Sequence, residues 1–349
     1  MVLGPQICPQ CQGRFGKEST FCPVDGSPLS EVSGTDPRIG LVLDGQFRIE
    51  EKVGEGAMAS VYRAHQASLE RFVAVKILHA QHVNDELIQA RFAREGRASA
   101  YLAHPNLVSL LSHGCLPTRA EPDDSADPPA GSSGEAYLVM EFLDGQHLGQ
   151  ILEQAGGKLD IATALHIVLQ ICDAMGEAHG QGVVHRDIKP ENVMLVRQGA
   201  DESFVKVLDF GVAAVGHDDQ LATLAGSLFG SALYMSPEGS RGETVEAPGD
   251  VYSIACLLYR CLSGQPPFEG GNAIGVLIQH RLHPPRPLAE RAPSVPVAIS
   301  DLVQANLSKS PADRETDARA FGRRLAHAAV SAGSLETHLG LGATLMGPR

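Results

Sequence analysis

Apolar and polar positions along this chain follow two periods, one for each half. In the first half the period is two: Phe47-Arg-Ile-Glu-Glu-Lys-Val53 reads as a half-buried strand, and Phe72-Val73-Ala74-Val75-Lys76-Ile77-Leu78 as a buried one. Residues 108–114 and 136–143 supply two further strands. From residue 160 the period lengthens, and 160–180 and 318–330 carry apolar residues at helical spacing. Two short strand-like runs, 192–196 and 205–208, lie between these helices. Three stretches follow neither period. Residues 30–40, with Pro37 and two glycines, read as a linker, and 117–135, rich in Pro, Asp, Ser, Ala and Gly, as a disordered surface insertion. The glycine-rich 331–349 reads as a loose tail.

Lys76 stands out because an unpaired ammonium inside an apolar strand is costly, so it predicts a carboxylate partner. Bulk composition narrows the class. With 349 residues, 43% hydrophobic and 20% charged, the chain has the makeup of a soluble globular protein of about two ordinary domains. A net charge of -13 disfavours broad attraction to nucleic acid or anionic lipid. No run of 18 apolar residues occurs, and the N-terminus has neither the basic nor the apolar region of a secretion signal, so no membrane span and a cytoplasmic location are expected. Seven cysteines in that setting argue against a disulfide framework, and Cys115, Cys172, Cys256 and Cys261 read as small buried hydrophobes.

The chemistry concentrates in Val-Val-His185-Arg186-Asp187-Ile-Lys189-Pro190-Glu191-Asn192, followed by Asp209-Phe210-Gly211. A carboxylate, a lysine and a carboxamide at offsets of zero, two and five can place a base, a cation and a metal ligand around one phosphoryl group. The ordered set resembles the protein kinases, over residues 47 to about 328, and in detail the bacterial eukaryotic-type (Hanks-type) serine/threonine kinases. The resemblance implies an α+β, bilobal fold: a small β-rich lobe (47–143), a large helical lobe (144–328) and a flexible tail (329–349). It also implies ATP- and magnesium-dependent phosphoryl transfer to serine or threonine hydroxyls of protein substrates, with autophosphorylation, in bacterial signalling. Lysine at 189 points to the serine/threonine rather than the tyrosine branch.

By the same resemblance Asp187 is the catalytic base, Lys189 and Lys76 neutralise phosphates, Glu95 pairs with Lys76, and Asn192 and Asp209 hold magnesium. The nucleotide would lie against Gly54, Glu55, Gly56, Val61, Ala74, the gatekeeper Met140, and the hinge at Glu141 and Leu143. The loop Gly54-Glu-Gly56-Ala-Met-Ala59-Ser-Val61 has Ala59 where the family has a third glycine. Ser231 stands where threonine is usual and keeps the hydroxyl. Asp250 would brace the catalytic loop from a central buried helix, Arg314 would pair with Glu238, and Thr223 or Ser227 would accept phosphate opposite Arg186.

Ahead of this domain, Cys8-Pro-Gln-Cys11 and Cys22-Pro-Val-Asp25 resemble the two knuckles of a zinc ribbon over residues 1–30, joined to the kinase-like part by a linker at 31–46. Cysteine is usual where Asp25 stands. Either its carboxylate completes a zinc shell, or another ligand does, or the arm carries three free thiols. With few basic residues, the arm suggests a protein partner rather than nucleic acid. Two other classes compete for the whole chain: a nucleotide-binding scaffold without activity, suggested by Ala59, and a small-molecule phosphotransferase, which does not predict the Ser236-Pro237-Glu238 segment or Arg314.

Overall fold

The computed structural model describes residues 6–7, 14–15, 30–31, 36–116, 134–210 and 230–334. Three two-residue strands open the chain: β1 (Gln6–Ile7), β2 (Arg14–Phe15) and β3 (Ser30–Glu31) form a small antiparallel sheet with β1 in the middle. Cys8, Cys11, Cys22 and Asp25 lie outside the described residues, as do most of the 117–135 insertion, Thr223, Ser227 and the segment 335–349.

The small lobe is a six-stranded antiparallel sheet in the order β4-β5-β6-β7-β9-β8. Its strands are β4 (Val42–Leu43), β5 (Phe47–Glu55), β6 (Ala59–Gln66), β7 (Arg71–Leu78), β8 (Leu110–Cys115) and β9 (Ala136–Glu141). Strand alternation sorts the side chains onto two faces. Tyr62, Ala64, Val73, Val75, Ile77, Tyr137 and Val139 share one face and are buried together with Leu43, Phe47 and Ile49. Val61, Ala74, Lys76, Leu138 and Met140 take the other, because Val61 pairs with Lys76, Lys76 with Leu138 and Ala74 with Met140. Residues 36–46, read above as linker, dock on the lobe: Leu43 is buried, Arg38 donates to Glu135 at 2.9 Å, and Tyr62 donates to Asp36 at 2.7 Å.

Helix α1 (Glu86–Tyr101) packs across the sheet, started by Asp85, whose carboxylate accepts the N–H groups of Leu87 and Ile88. Gly96 allows the close approach. A methyl there would lie 2.8 Å from the Leu138 side chain on β9.

The large lobe is helical around α3 (Ile161–Gly180) and α5 (Ala247–Ser263), with α2 (Leu148–Gln154) and α4 (Pro237–Ser240) beside them. Helices α6 (Ala273–Leu282), α7 (Leu288–Arg291), α8 (Val297–Asn306) and α9 (Ala318–Ser331) complete it. By length and composition α3 could cross a bilayer, yet its apolar side chains, Leu165, Ile167, Val168 and Ile171 among them, are fully buried in the lobe core. Asp160 caps α3 through the Thr163 amide, and Gly264 ends α5 at φ 87°, a left-handed position suited to glycine. A third sheet, β10 (Gly145–His147), β11 (Val193–Gln198) and β12 (Asp201–Val207), is joined through Val207 to Leu107, just ahead of β8.

Candidate active site

Two clusters of polar side chains gather the residues singled out above, and His185 ties the loop of one to the segment that bears Asp209 of the other. In the first, the Lys76 ammonium lies 2.6 Å from Glu95 Oε1 and 2.9 Å from Asp209 Oδ2. The strand places Lys76 and the helix places Glu95, each more than nine-tenths buried. Burial raises the Glu95 carboxyl, and the Asp209 carboxylate beside it adds to the rise. Burial works against the Lys76 charge, but Asp209 and Glu95 outweigh it and hold the ammonium firmly protonated. Asp209 is likewise opposed by burial and drawn below the usual carboxylate range by Lys76.

In the second, Lys189 Nζ donates to Asp187 Oδ2 at 2.7 Å and to Ser231 Oγ at 2.6 Å. Asn192 Nδ2 donates to the Asp187 carbonyl at 2.8 Å and to the same Oδ2 at 3.0 Å. One carboxylate oxygen is thus held by two donors, and Oδ1 takes no hydrogen bond from the described residues. The Ser231 hydroxyl meets Lys189 directly and reaches Asp187 through it.

The loop that carries Asp187 is pinned from below. Asp250 is fully buried on α5 and accepts from the His185 and Arg186 amides, both at 2.7 Å, with His179 Nε2 3.0 Å away. Its carboxyl is pushed up by burial, but the His179 hydrogen bond and the other donors bring it below the ordinary range. Arg186 adopts φ 68°, a left-handed conformation unusual for a side chain of this size, which the two amide bonds to Asp250 maintain. His185 Nε2 contacts the Leu208 carbonyl at 2.8 Å and its ring lies 5.1 Å from that of Phe210, tying the loop to the segment bearing Asp209. Farther down, Arg314 grips Glu238 through two bonds, at 2.8 and 2.9 Å.

Of the positions that the resemblance assigns to the nucleotide, Val61, Ala74 and Met140 share a sheet face with Lys76. Gly54 pairs opposite Val61, and the Gly56 amide closes the tip of the loop on the Ala59 carbonyl at 2.9 Å. Glu55 turns its carboxylate to Lys52. The Glu141 amide donates to the Ser109 carbonyl at 3.1 Å, so the backbone group it can offer a purine is its carbonyl. Sequence reading passed over Lys206, nine-tenths buried, which reaches Glu141 at 2.8 Å. The signal was the same as for Lys76: a lone lysine in the apolar run Val205-Lys206-Val207-Leu208. It also missed Gln170, which from α3 accepts from the Asn106 side chain and the Val205 amide, both at 2.9 Å.

Among the described residues no group of three or more His, Cys, Asp or Glu side chains is arranged to hold a metal ion. The donor set of Asp209 and Asn192 nevertheless suits magnesium, which prefers hard oxygen ligands and is commonly held by one or two carboxylates together with substrate phosphates. Asp209 Oδ2 is engaged by Lys76, while its side chain keeps 40% exposure.

A sequence model described as protein kinase domain matches residues 47–326. The chain is 38% identical over 296 residues to the serine/threonine-protein kinase pkn3 of Myxococcus xanthus, a match covering 83% of this chain and 51% of that one. It is 37% identical over 331 residues to Pkn1 of the same organism, covering 91% and 45%. The chain thus spans about half the length of these relatives. The crystal structure of the Mycobacterium tuberculosis PknI kinase domain superposes with a TM-score of 0.62 at 24% identity, covering 83% of this chain and 98% of that one, and so shares the bilobal fold.

Proposed function

The chain belongs to the protein kinase domain family, among its bacterial serine/threonine members, and from that premise we propose that it transfers the γ-phosphoryl group of ATP to serine and threonine hydroxyls of proteins, itself included. The observation that carries this reading is that Lys76 pairs with both Glu95 and Asp209 while Asp187 is held by Lys189 and Asn192, the two groups tied together by the bond from His185 to the Leu208 carbonyl. A scaffold that only binds nucleotide needs no carboxylate held by two donors beside a serine-facing lysine.

In this reading the chain's part is positioning and charge neutralisation. Lys76, kept cationic and oriented by Glu95, binds phosphate oxygens. Asp187 Oδ1 faces an incoming hydroxyl and takes its proton, while Lys189 and Asn192 fix the carboxylate through Oδ2. Ser231 holds Lys189 at the point where the acceptor enters. Magnesium, held by Asp209 and Asn192, would supply charge for the phosphate oxygens. Val61, Ala74 and Met140 form an apolar wall for the purine, and the hinge backbone at Glu141 and Leu143 gives it polar contacts.

The N-terminal arm is read as a regulatory zinc module with Cys8, Cys11, Cys22 and Asp25 as ligands and a protein as its partner. Supporting this, β1 and β2 pair Ile7 with Arg14, so a hairpin brackets the segment that bears Cys8 and Cys11. Zinc analysis of the full chain against its Cys8→Ser, Cys11→Ser double variant tests it; equal metal content in the two refutes it.

The decisive experiment for the activity follows labelled phosphate from ATP and magnesium into the chain and into a basic protein substrate. Transfer should fall by about a thousandfold in Asp187→Asn while the variant stays folded. Wild-type protein that binds ATP but transfers nothing would refute the reading in favour of a scaffold.

A further inference from the structure

Lys206 lies on β12, three residues ahead of Asp209, and takes no part in the chemistry described above. Its ammonium is nine-tenths buried and 2.8 Å from Glu141 Oε1, the last residue of β9. The same oxygen accepts the Ser109 amide at 2.8 Å, and the Glu141 amide returns a bond to the Ser109 carbonyl. Glu141 and Ser109 are therefore locked by two hydrogen bonds, one of them charge-assisted.

Ser109 ends a segment that is itself laced to β12. The Val207 amide donates to the Asn106 carbonyl at 2.8 Å, the Val108 amide to the Val207 carbonyl at 3.1 Å, and the Asn106 side chain to the Val205 carbonyl at 2.8 Å. The links close a ring from Lys206 to Glu141, through Ser109 and residues 106–108, and back to β12. On its other edge β12 pairs Lys206 with Met194, and the Leu208 amide donates to the Asn192 carbonyl at 2.9 Å. One side of the ring is thus the hinge, and the other leads into Asn192 and Asp209.

We propose that Lys206 is a positioning residue for the nucleotide, setting the hinge edge that receives the purine at a fixed distance from the residues that receive the phosphates. The proposal rests on the phosphotransfer reading for the identity of the ligand. Only a cation long enough to reach Glu141 from β12 can close the ring, because the carboxylate is otherwise held by a single amide. A buried ammonium in turn requires its anion. The Lys206 ammonium pairs with Glu141 and with none of Lys76, Asp187, Lys189, Asn192 or Asp209, so its removal should disturb where the purine sits and leave the transfer step alone.

The test uses the full chain and four variants: Lys206→Met, Lys206→Arg, Glu141→Gln and the double variant Lys206→Met, Glu141→Gln. A fluorescent ATP analogue with magnesium gives Kd, phosphate transfer to a basic protein gives kcat, and a thermal scan reports folding. Lys206→Met should weaken Kd about tenfold with kcat at saturating ATP held within about twofold, and Lys206→Arg should return Kd to within about threefold of wild type. Glu141→Gln, which strands the lysine, should bind more weakly than Lys206→Met, and the double variant no more weakly than Lys206→Met alone.

Unchanged Kd in Lys206→Met would overturn the proposal. So would a fall in kcat at constant Kd, or a failure of arginine to restore binding in a folded protein. Wild type that binds nucleotide without transferring phosphate would sink the activity and leave the Kd comparison to decide this inference. Wild type that binds no nucleotide would overturn both.

Discussion

Replacing His280 with glutamine should remove a large part of this protein's sensitivity to mild acid. His280 sits on α6 with no solvent exposure. One ring nitrogen, Nδ1, lies 2.7 Å from the Tyr252 hydroxyl, and the ring packs edge-on to Phe268 at 4.7 Å. The Lys309 ammonium lies 4.3 Å over the same Phe268 ring. Burial, and then Lys309, push the histidine down to about 3 from its ordinary 6.5. The folded protein therefore keeps His280 neutral where the unfolded chain binds a proton. A depressed folded pKa contributes stability that is complete above pH 6.5 and lost as pH falls toward 3. One proton of difference gives a slope of about 1.4 kcal/mol per pH unit, so roughly 2 to 3 kcal/mol should disappear between pH 6.5 and 4.5. Glutamine matches much of the imidazole volume, can accept from Tyr252 and does not titrate. Urea unfolding of wild type and His280→Gln at pH 6.5, 5.5 and 4.5 isolates the effect, since carboxylates contribute equally to both. The two free energies should converge by about 2 kcal/mol over that interval. Parallel curves would refute the reasoning and mean that His280 is protonated in the folded state.

Three further outcomes follow from the same geometry. Gly96→Ala should leave thermal stability nearly unchanged, because about 1 kcal/mol of helix propensity offsets the 2.8 Å contact with Leu138, yet it should lower phosphate transfer about tenfold by shifting Glu95 from Lys76; normal transfer would show that α1 absorbs the methyl. Arg314→Met should cost ~3 to 5 kcal/mol in chemical denaturation by stranding Glu238, a fully paired carboxylate, and a loss below 1 kcal/mol would refute the buried-pair reading. Asp250→Asn should cost about 2 to 4 kcal/mol at pH 7, since a carboxamide cannot serve the His185 and Arg186 amides with both of its atoms. Because the Asp250 pKa is lowered on folding, its contribution is present above the unfolded carboxylate range and lost as pH falls through the folded value. The variant should flatten the acid limb of the stability curve in a pH-dependent urea series; an unchanged limb would count against the assignment.

Legibility in the sequence tracked how far each interaction reaches along the chain. The catalytic loop could be read because Asp187, Lys189 and Asn192 act within five residues of one another, and their spacing is their geometry. Lys76 could be read because a charge inside an apolar strand announces a partner, and Glu95 through the family resemblance, from its place ahead of the His104-Pro105-Asn106 turn. Residues 36–46 looked like linker because a two-residue strand and a few turns leave no period to detect, although Leu43 anchors them in the small-lobe core. Gln170 and Lys206 were passed over for a different reason. Gln170 is a polar position inside an apolar helix, and its amide oxygen accepts from Asn106 and from the backbone of β12 across separations of 64 and 35 residues. Lys206 shows the apolar-strand pattern of Lys76 without a motif around it, and its partner lies 65 residues away across the hinge. A buried polar residue must find a partner, so each such residue in an apolar run is a contact already specified from one end. What the chain alone leaves open is the other end, and here both contacts involve β12, the strand that leads into Asp209: Gln170 reaches its backbone at Val205, and Lys206 reaches from it to Glu141 on β9.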